Sequence, residues 1–163
     1  MEIVSKNRER DLAGFEAAVR RHESWLVGRL SLVAGDREEA RDLTQQTFLK
    51  ASQRWPIGSD EETARWLSVV GVRLAISERR RRRRWGFLAF RETDSTWAKE
   101  TDPDLWSALS ALDRRTRAAL MLTVVEGYSQ DEVAEMLDVP RGTVASWLSR
   151  ARVRLRAALE ERE

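Results

Sequence analysis

Apolar residues in this chain of 163 residues recur at spacings of three and four almost throughout, and this periodicity constrains its fold more than any other feature. The first such stripe consists of Leu12, Phe15, Val19, Leu26 and Leu30. No stretch shows the sustained apolar and polar alternation, bounded by hairpin turns, that predicts strands. The sequence therefore predicts an all-α protein.

Local end signals divide the first half into three helices. A helix over about residues 11–34 is expected to end at Gly35, and Asp36 is expected to cap a second helix that stops before Trp55-Pro56. Asp60 is the predicted N-cap of a third helix, which continues into a run of arginines. These helices predict a first domain over residues 10–85.

A second group of end signals begins after residues 86–101, a segment without a clear stripe that we expect to be a linker. Asp102-Pro103 predicts a helix start, and Asp113 predicts the cap of a helix reaching Glu126, which Gly127 closes. The sequence thus predicts a second small helical domain over residues 102–163.

Charge is strongly segregated although the formal net charge is only +2. Residues 65–91 contain nine Arg against the single acid Glu78, so this stretch carries about +8 while the remainder is negative. Most basic residues of the chain are Arg, whose fork suits phosphate and base edges better than Lys does. Nucleic acid is therefore the leading candidate partner.

Composition argues against several other kinds of site and classes of protein. The chain has no Cys and the single histidine His22, so Cys-based zinc, thiolate chemistry and a His-paired metal are excluded, and no metal or cofactor is expected. No stretch approaches the roughly 18 unbroken apolar residues of a membrane span, and residues 1–11 are polar. A cytoplasmic protein without membrane insertion is expected.

The strongest local motif is a predicted helix-turn-helix. Ser129 and Glu132 fit a capping box at the start of a helix over 130–137, and a turn of three residues from Asp138 to Pro140 leads into a long helix. Asp138 tolerates the left-handed conformation that such turns often need. Residues 126–138 carry five acids and no base, whereas residues 140–156 carry five Arg and no acid.

The second helix of this motif is predicted to read DNA. A step of 100° per residue places Thr143, Trp147, Arg150 and Arg154 on one outward stripe, with Arg141, Arg152 and Arg156 beside it. The inward side is predicted to consist of Val144, Leu148, Ala151, Leu155 and Leu159. The alternative is an ordinary amphipathic helix pair whose arginines are merely solvated.

The arginine run from Arg79 to Arg84 is weakly specific alone, since nuclear signals, lipid contacts and RNA-binding tails look similar. Its helix also bears Arg65, Trp66 and Arg73, which could hold backbone phosphates and stack an unpaired base. Alternatively, Trp66 is a core aromatic.

Three stretches together resemble the extracytoplasmic-function (ECF) sigma factors of bacterial RNA polymerase, which have only regions 2 and 4. In region 2 the resemblance rests on "GDREEARDLTQQTFLKA" from Gly35 and "ARWLSVVGVRLAISERRRRRR" from Ala64. In region 4 it rests on "LSALDRRTRAALMLTVVEGYSQDEVAEMLDVPRGTVASWLSRARVRLRAAL" from Leu109.

The resemblance implies a function and three contact surfaces. A sigma factor binds core polymerase, directs promoter-specific transcription initiation and catalyses nothing itself. Region 2 would dock on the β′ clamp helices through Asp42, Gln45, Gln46 and Phe48. The helix that melts the minus-ten element would contribute Arg65, Trp66, Arg73, Ser77, Arg80, Arg81, Arg82 and Arg84. Region 4 would read the minus-thirty-five element with Arg141, Thr143, Trp147, Arg150 and Arg154 and touch the β flap. An anti-sigma factor is a further expected partner.

Two other classes of function remain open at this point. A stand-alone transcription regulator would use only the helix-turn-helix and would bind a palindromic duplex tightly without polymerase. An enzyme would need chemistry that the sequence does not supply by motif, and its acidic clusters lie at helix starts, where capping explains them.

Overall fold

The structure is a computed structural model that describes residues 2–84 and 103–160, with side chains at 9–77, 103–158 and 160. The predicted linker and the side chains of Arg80, Arg81, Arg82 and Arg84 lie outside this part. The first described range holds three helices: α1 Glu2–Ala34, α2 Arg37–Arg54 and α3 Asp60–Arg84. The second range holds four: α4 Pro103–Ser110, α5 Arg114–Leu120, α6 Gln130–Leu137 and α7 Arg141–Glu160. These two ranges contain no strand, so the all-α prediction is confirmed.

Helices α1 to α3 form one bundle, and local signals set its corners. Gly35 ends α1 with φ +77°, a backbone conformation that residues with a Cβ disfavour. The Asp36 side chain accepts hydrogen bonds from the backbone N–H groups of Glu38 and Glu39 and so caps α2. Both predicted boundaries are confirmed.

The start of α3 differs from the prediction. The Ser59 hydroxyl accepts a hydrogen bond from the Glu62 N–H at 3.2 Å, and the Glu62 carboxylate accepts one from the Ser59 N–H at 2.7 Å. Ser59 is therefore the capping residue, in a reciprocal box. The prediction of Asp60 as the cap was wrong because its carboxylate is engaged by Arg21 and His22 on α1, at 2.8 and 2.9 Å.

The core of the first bundle is aliphatic and depends on a close approach of α3. Leu26, Leu30, Leu43 and Leu67 are completely or almost completely buried. A Cβ on Gly71 would lie 3.0 Å from the Leu30 side chain, so only glycine allows α3 this close to α1. This packing fixes which face of α3 points away from the core.

The second bundle departs from prediction in one helix. Asp113 caps α5 by accepting a hydrogen bond from the Thr116 N–H, as expected. The predicted continuous helix to Glu126 instead changes after Leu120 into a π-helical turn, Met121–Val125, which ends at Gly127 with φ +80°. Val124 and Val125 are exposed on this turn.

The helix-turn-helix forms as predicted. The Ser129 and Glu132 capping box starts α6, and Asp138 ends it in the left-handed region at φ 53° and ψ 53°. Helix α7 then packs against α4, α5 and α6. Its inner side includes the buried Val144 and Ala151, so α7 is anchored along its length.

The two bundles pack against each other, because α5 contacts α1 and α3, and α6 contacts α3. The buried Arg117 of α5 donates from Nε to the Val33 carbonyl at 3.0 Å, close to the end of α1. A guanidinium of the second bundle thereby satisfies a carbonyl in the last turn of a helix of the first.

Candidate nucleic-acid interface

Two predicted DNA-binding arginines of α3 face the second bundle. The Arg65 guanidinium lies 5.2 Å from the ring centroid of Tyr128 and 3.9 Å from the Glu132 carboxylate. The Arg73 Nε donates to the Met136 carbonyl at 2.6 Å. Helix α6 therefore lies over the face of α3 that the sequence assigns to the minus-ten element.

The other described residues predicted on this face divide between surface and core. Ser77 is exposed, and its hydroxyl donates to the Arg73 carbonyl one turn earlier. Trp66 is half-buried and packs against the hydrophobic core, as the core alternative anticipated. Its ring is therefore only partly available for stacking.

Electrostatics at this junction favour the charged form of the carboxylate. Hydrogen bonds from the Ser129 backbone and hydroxyl, aided by the nearby Arg65, hold the pKa of Glu132 below its usual range. Burial raises the pKa of the Tyr128 phenol. The junction thus joins a cation, an anion and a neutral aromatic ring.

The predicted polymerase-binding residues of α2 form an exposed stripe with one exception. Asp42, Gln45 and Gln46 are exposed. Phe48 is only 8% exposed, and its ring makes an edge contact with Phe15 at 6.5 Å, so it lies in the core and not on this stripe. It belongs to the core because α2 turns it toward α1.

Leu49 is the surface residue that the sequence prediction missed. It is 64% exposed and lies three and four residues after Gln46 and Gln45, on the same face of α2. The spacing from Asp42 through Gln45 to Leu49 could have identified it.

The recognition helix α7 has Val144 and Ala151 on its inner side as predicted, but one residue of the predicted outward stripe is buried. Trp147 is only 7% exposed and belongs to the hydrophobic core, so its placement on an outward stripe was wrong. Thr143 is half-buried. Val144, Trp147 and Ala151 follow one another at spacings of three and four, so they lie on one side of α7, and this apolar side faces inward.

The outward face of α7 is therefore different from the predicted stripe. It includes Ser146, Ser149, Arg150 and Val153, all exposed. Val153 is an apolar residue at 67% exposure, which the prediction did not select. If Trp147 is taken as a core position, the helical periodicity identifies these residues as the exposed ones.

The predicted flanking arginines have mixed surroundings. Arg150 and Arg154 are exposed, but Arg154 also donates to the Ala111 carbonyl at 2.6 Å. Arg141 lies 3.1 Å from Asp131 across the helix-turn-helix, with both side chains largely exposed. An exposed pair of this kind contributes little to stability and leaves Arg141 accessible to phosphate.

A groove that the sequence did not predict runs along the other side of the second bundle. It has a volume of about 780 Å³ and lies between the π-helical turn and the second half of α7. Its apolar lining includes Leu120, Val124, Leu148 and Leu155. Arg152, Arg156 and Glu160 also line it.

Other kinds of site find little support in the described ranges. Among residues 9–77 and 103–158 no group of three or more His, Asp or Glu could hold a metal ion. Within the described helices, none is long and apolar enough to cross a membrane.

Comparison with known proteins follows the same division into two bundles. Residues 18–85 match the family model "Sigma-70 region 2", and residues 103–155 match "Sigma-70, region 4". Both bundles are thus covered, and a stand-alone helix-turn-helix regulator is not favoured.

Relatives and one solved structure agree with these matches. The chain is 31% identical to the ECF RNA polymerase sigma factor SigE of Mycolicibacterium smegmatis, over 89% of this chain and 61% of SigE. It is 30% identical to SigM of Mycobacterium tuberculosis, over 94% of this chain and 81% of SigM. The chain thus spans 61% of the length of SigE, less than two thirds.

The fold is similar to that of the sigma factor RpoE from Bartonella quintana, solved in complex with the anti-sigma factor NepR. The TM-score is 0.69 at 24% identity, over 90% of this chain and 97% of that one. The two region matches and the identity with SigM establish the family. The chain belongs to the ECF RNA polymerase sigma factors of the sigma-70 family, the class that directs promoter-specific transcription initiation.

Proposed function

We propose that this chain binds core RNA polymerase and lends it promoter specificity through α3 and α7. One observation carries the proposal. Helix α7 is anchored by Val144, Trp147 and Ala151 while Arg150 and its neighbours point to solvent, on a helix without acid until Glu160. An anchored helix with an exposed cationic side suits the major groove.

The minus-thirty-five element is read by the outward face of α7. Arg150 can donate a bidentate pair to guanine, and Ser146 and Ser149 can bond to several base edges. Val153 is suited to contact with a thymine methyl group. Arg141 and Arg154 flank this face and are assigned to phosphates, which fix register rather than sequence.

The minus-ten element is engaged by α3. Arg65 and Arg73 hold the DNA backbone, and Ser77 lies one turn after Arg73 on the same side of α3. The partly exposed edge of Trp66 supports stacking of an unpaired base. Arg80, Arg81, Arg82 and Arg84 extend the cationic charge toward the end of α3, and their assignment rests on sequence alone.

Two surfaces are assigned to polymerase. The stripe Asp42, Gln45, Gln46 and Leu49 on α2 contacts the β′ clamp helices. The apolar groove of the second bundle, with Arg152 and Arg156 in its lining, accepts an apolar helix of the β flap. Its volume and apolar lining support an occupant of this kind.

The domain assignment is region 2 over 10–85, a linker over 86–101 and region 4 over 102–163. An anti-sigma factor is a further proposed partner, as RpoE of Bartonella quintana has one. We assign the chain to the cytoplasm, where transcription takes place, and we assign it no catalytic step, since sigma factors are non-enzymatic regulators.

Run-off transcription with core polymerase tests the proposal. The purified chain should direct initiation at a subset of promoters from its source genome, and Arg150→Ala should reduce this transcription by roughly tenfold or more, equivalent to the 1–3 kcal/mol of one bidentate base contact. Arg20→Ala, an exposed arginine on α1, is the matched control and should have no effect. A chain that never directs initiation at any promoter contradicts the proposal.

A further inference from the structure

The short corner between α4 and α5, Ala111 to Asp113, lies against two arginines of the recognition helix. The Ala111 carbonyl accepts a hydrogen bond from Arg154 Nη1 at 2.6 Å. Arg150 lies one turn before Arg154 on the same side of α7, and its positive charge acts on the Asp113 carboxylate. The corner therefore offers a carbonyl and a carboxylate to two arginines that the proposed function gives to DNA.

A buried guanidinium holds this corner from its inner side. Arg117 donates from Nη1 to the Leu112 carbonyl at 2.8 Å and from Nε to the Val33 carbonyl at 3.0 Å. Arg117 is only 7% exposed, and Leu112 is buried as well. A backbone segment that is fixed on its buried side is a rigid support for the groups on its exposed side. The corner thus presents its acceptors to α7 in a defined arrangement.

The Asp113 carboxylate is charged and fixed in orientation. Its Oδ1 accepts a hydrogen bond from the Thr116 N–H at 3.0 Å, and its Oδ2 accepts one from the Thr116 hydroxyl at 2.9 Å. Partial burial acts to raise the pKa of Asp113, but these hydrogen bonds and the charge of Arg150 outweigh it and hold that pKa below its usual range. Helix α7 has no acid before Glu160, so Asp113 supplies a negative charge that the helix itself lacks.

A fixed negative charge beside an arginine affects how that arginine reads a base. An exposed arginine has many rotamers, and it loses this freedom when it binds DNA. A carboxylate engages part of a guanidinium, whose five N–H donors still leave a pair for guanine O6 and N7. An arginine oriented in advance binds well only where a base offers two acceptors in the matching place. Orientation in advance therefore favours guanine over the other bases.

We propose that Asp113 is a positioning residue for base reading: its carboxylate orients Arg150 toward the minus-thirty-five element, and the Ala111 carbonyl holds Arg154 beside it. The proposal deepens the proposed function and rests on it, because it takes Arg150 as the residue that reads a base. Promoter selectivity then depends on a residue that has no contact with DNA of its own.

The variant Asp113→Asn separates the charge from the cap, because Asn caps helices about as well as Asp does. The probe is a promoter at which the parent chain initiates with core polymerase, randomised over its minus-thirty-five element, with a transcribed barcode identifying each template. Sequencing of the transcripts gives the preference for each base. Asp113→Asn should lower the preference for the base that Arg150 reads by roughly three- to tenfold. Asp11→Asn, the same charge change at an exposed position of α1, should keep the parent's preference.

The variant Arg150→Ala identifies the base pair concerned, since this is the position at which the variant loses its preference. In the Arg150→Ala background, Asp113→Asn should change the preference no further. The preference is a ratio measured within one reaction, so a partly unfolded variant does not alter it. Asp113→Asn with the parent's preference, even at a lower midpoint of thermal unfolding, makes Asp113 a capping residue only and overturns the proposal. A further loss in the absence of Arg150 overturns it as well.

Failure of the proposed function gives a different result. If the parent chain never initiates, or if Arg150→Ala keeps the parent's preference at every position, the proposed role of α7 fails and the positioning of Arg150 fails with it. If Arg150→Ala loses the preference at one base pair and Asp113→Asn does not, only the positioning fails.

Discussion

Arg114 and Glu39 form a bidentate ion pair that joins the two bundles, with only 12% and 6% of their side chains exposed. Removing Glu39 leaves the Arg114 guanidinium largely buried without its carboxylate, with a hydrogen bond to the Ala75 carbonyl at 2.9 Å. We expect Glu39→Ala to lower the free energy of unfolding by about 3 kcal/mol.

Urea unfolding measures this loss, and an exposed pair provides the control. Glu16 and Arg20 lie 3.9 Å apart on the surface of α1, so Glu16→Ala should cost less than about 0.5 kcal/mol. Replacing both Arg114 and Glu39 by apolar residues should cost less than Glu39→Ala alone. Similar losses for Glu39→Ala and Glu16→Ala would contradict a buried pair.

Alanine variants at Trp147 and Arg150 should show that the first residue supports stability and the second supports promoter recognition. Trp147→Ala removes a buried indole from the core of the second bundle and should cost about 3–5 kcal/mol. Arg150→Ala, on the exposed side, should change the free energy of unfolding by less than about 0.5 kcal/mol while reducing promoter-specific transcription. Unfolding curves and run-off assays on both variants check this. A stable Trp147→Ala protein that loses only promoter recognition would restore the outward placement.

The helix ends were predictable because their signals are local. Gly35, Asp36 and Asp113 act through backbone conformation or hydrogen bonds to residues two or three positions away. The capping box at Ser129 is equally local. Such features can be read from a single sequence because no distant residue is needed to complete them.

Features that depend on distant residues were not predictable in this way. Asp60 looked like a cap, but its partners Arg21 and His22 lie 39 and 38 residues earlier. Arg117 reaches the Val33 carbonyl across 84 residues, and nothing in the periodicity indicates that pairing. The packing of the two bundles, and hence the covering of α3, follows from contacts of this kind.

The prediction of the recognition face was partly wrong for a different reason. Thr143, Arg150 and Arg154 suggested a polar stripe, and Trp147 was included in it because the spacing fitted. Burial of a tryptophan contributes more free energy than its alignment with exposed arginines, so Trp147 packs inward beside Val144 and Ala151. The exposed serines were overlooked because they carry no charge.

Acid should weaken the fold through capping carboxylates. Hydrogen bonds from the Ser59 backbone and hydroxyl hold the pKa of Glu62 below its ordinary value, and those from Ser129 do the same for Glu132. A carboxyl group whose pKa is lower in the folded chain stabilises it above the unfolded pKa, about 4.3, and loses this effect as pH falls through the folded pKa. The midpoint of thermal unfolding should therefore decrease below about pH 4.

A conservative variant measures how much one capping box contributes to the acid sensitivity of the fold. Glu62→Gln keeps a capping side chain but cannot titrate, so its thermal midpoint should depend less on pH in acid than that of the parent. Glu61→Gln, at an exposed position outside the box, is the matched control and should retain the parent's slope. Identical acid slopes for both variants would assign the acid sensitivity elsewhere.

Two helical glycines should respond to alanine with opposite signs. Alanine improves helix propensity by about 1 kcal/mol over glycine. A Cβ on Gly71 would lie 3.0 and 3.1 Å from the two methyl carbons of the completely buried Leu30 and 3.3 Å from the Thr47 hydroxyl, whereas a Cβ on Gly142 meets no atom within 4 Å. Overpacking of a close-packed core costs about 1–3 kcal/mol, which equals or exceeds the gain in propensity.

Gly71→Ala should therefore destabilise by up to about 2 kcal/mol, and Gly142→Ala, close to a helix start, should stabilise by less than about 1 kcal/mol. Urea unfolding of both variants measures the difference, and a stabilising Gly71→Ala would show that α1 and α3 have room between them.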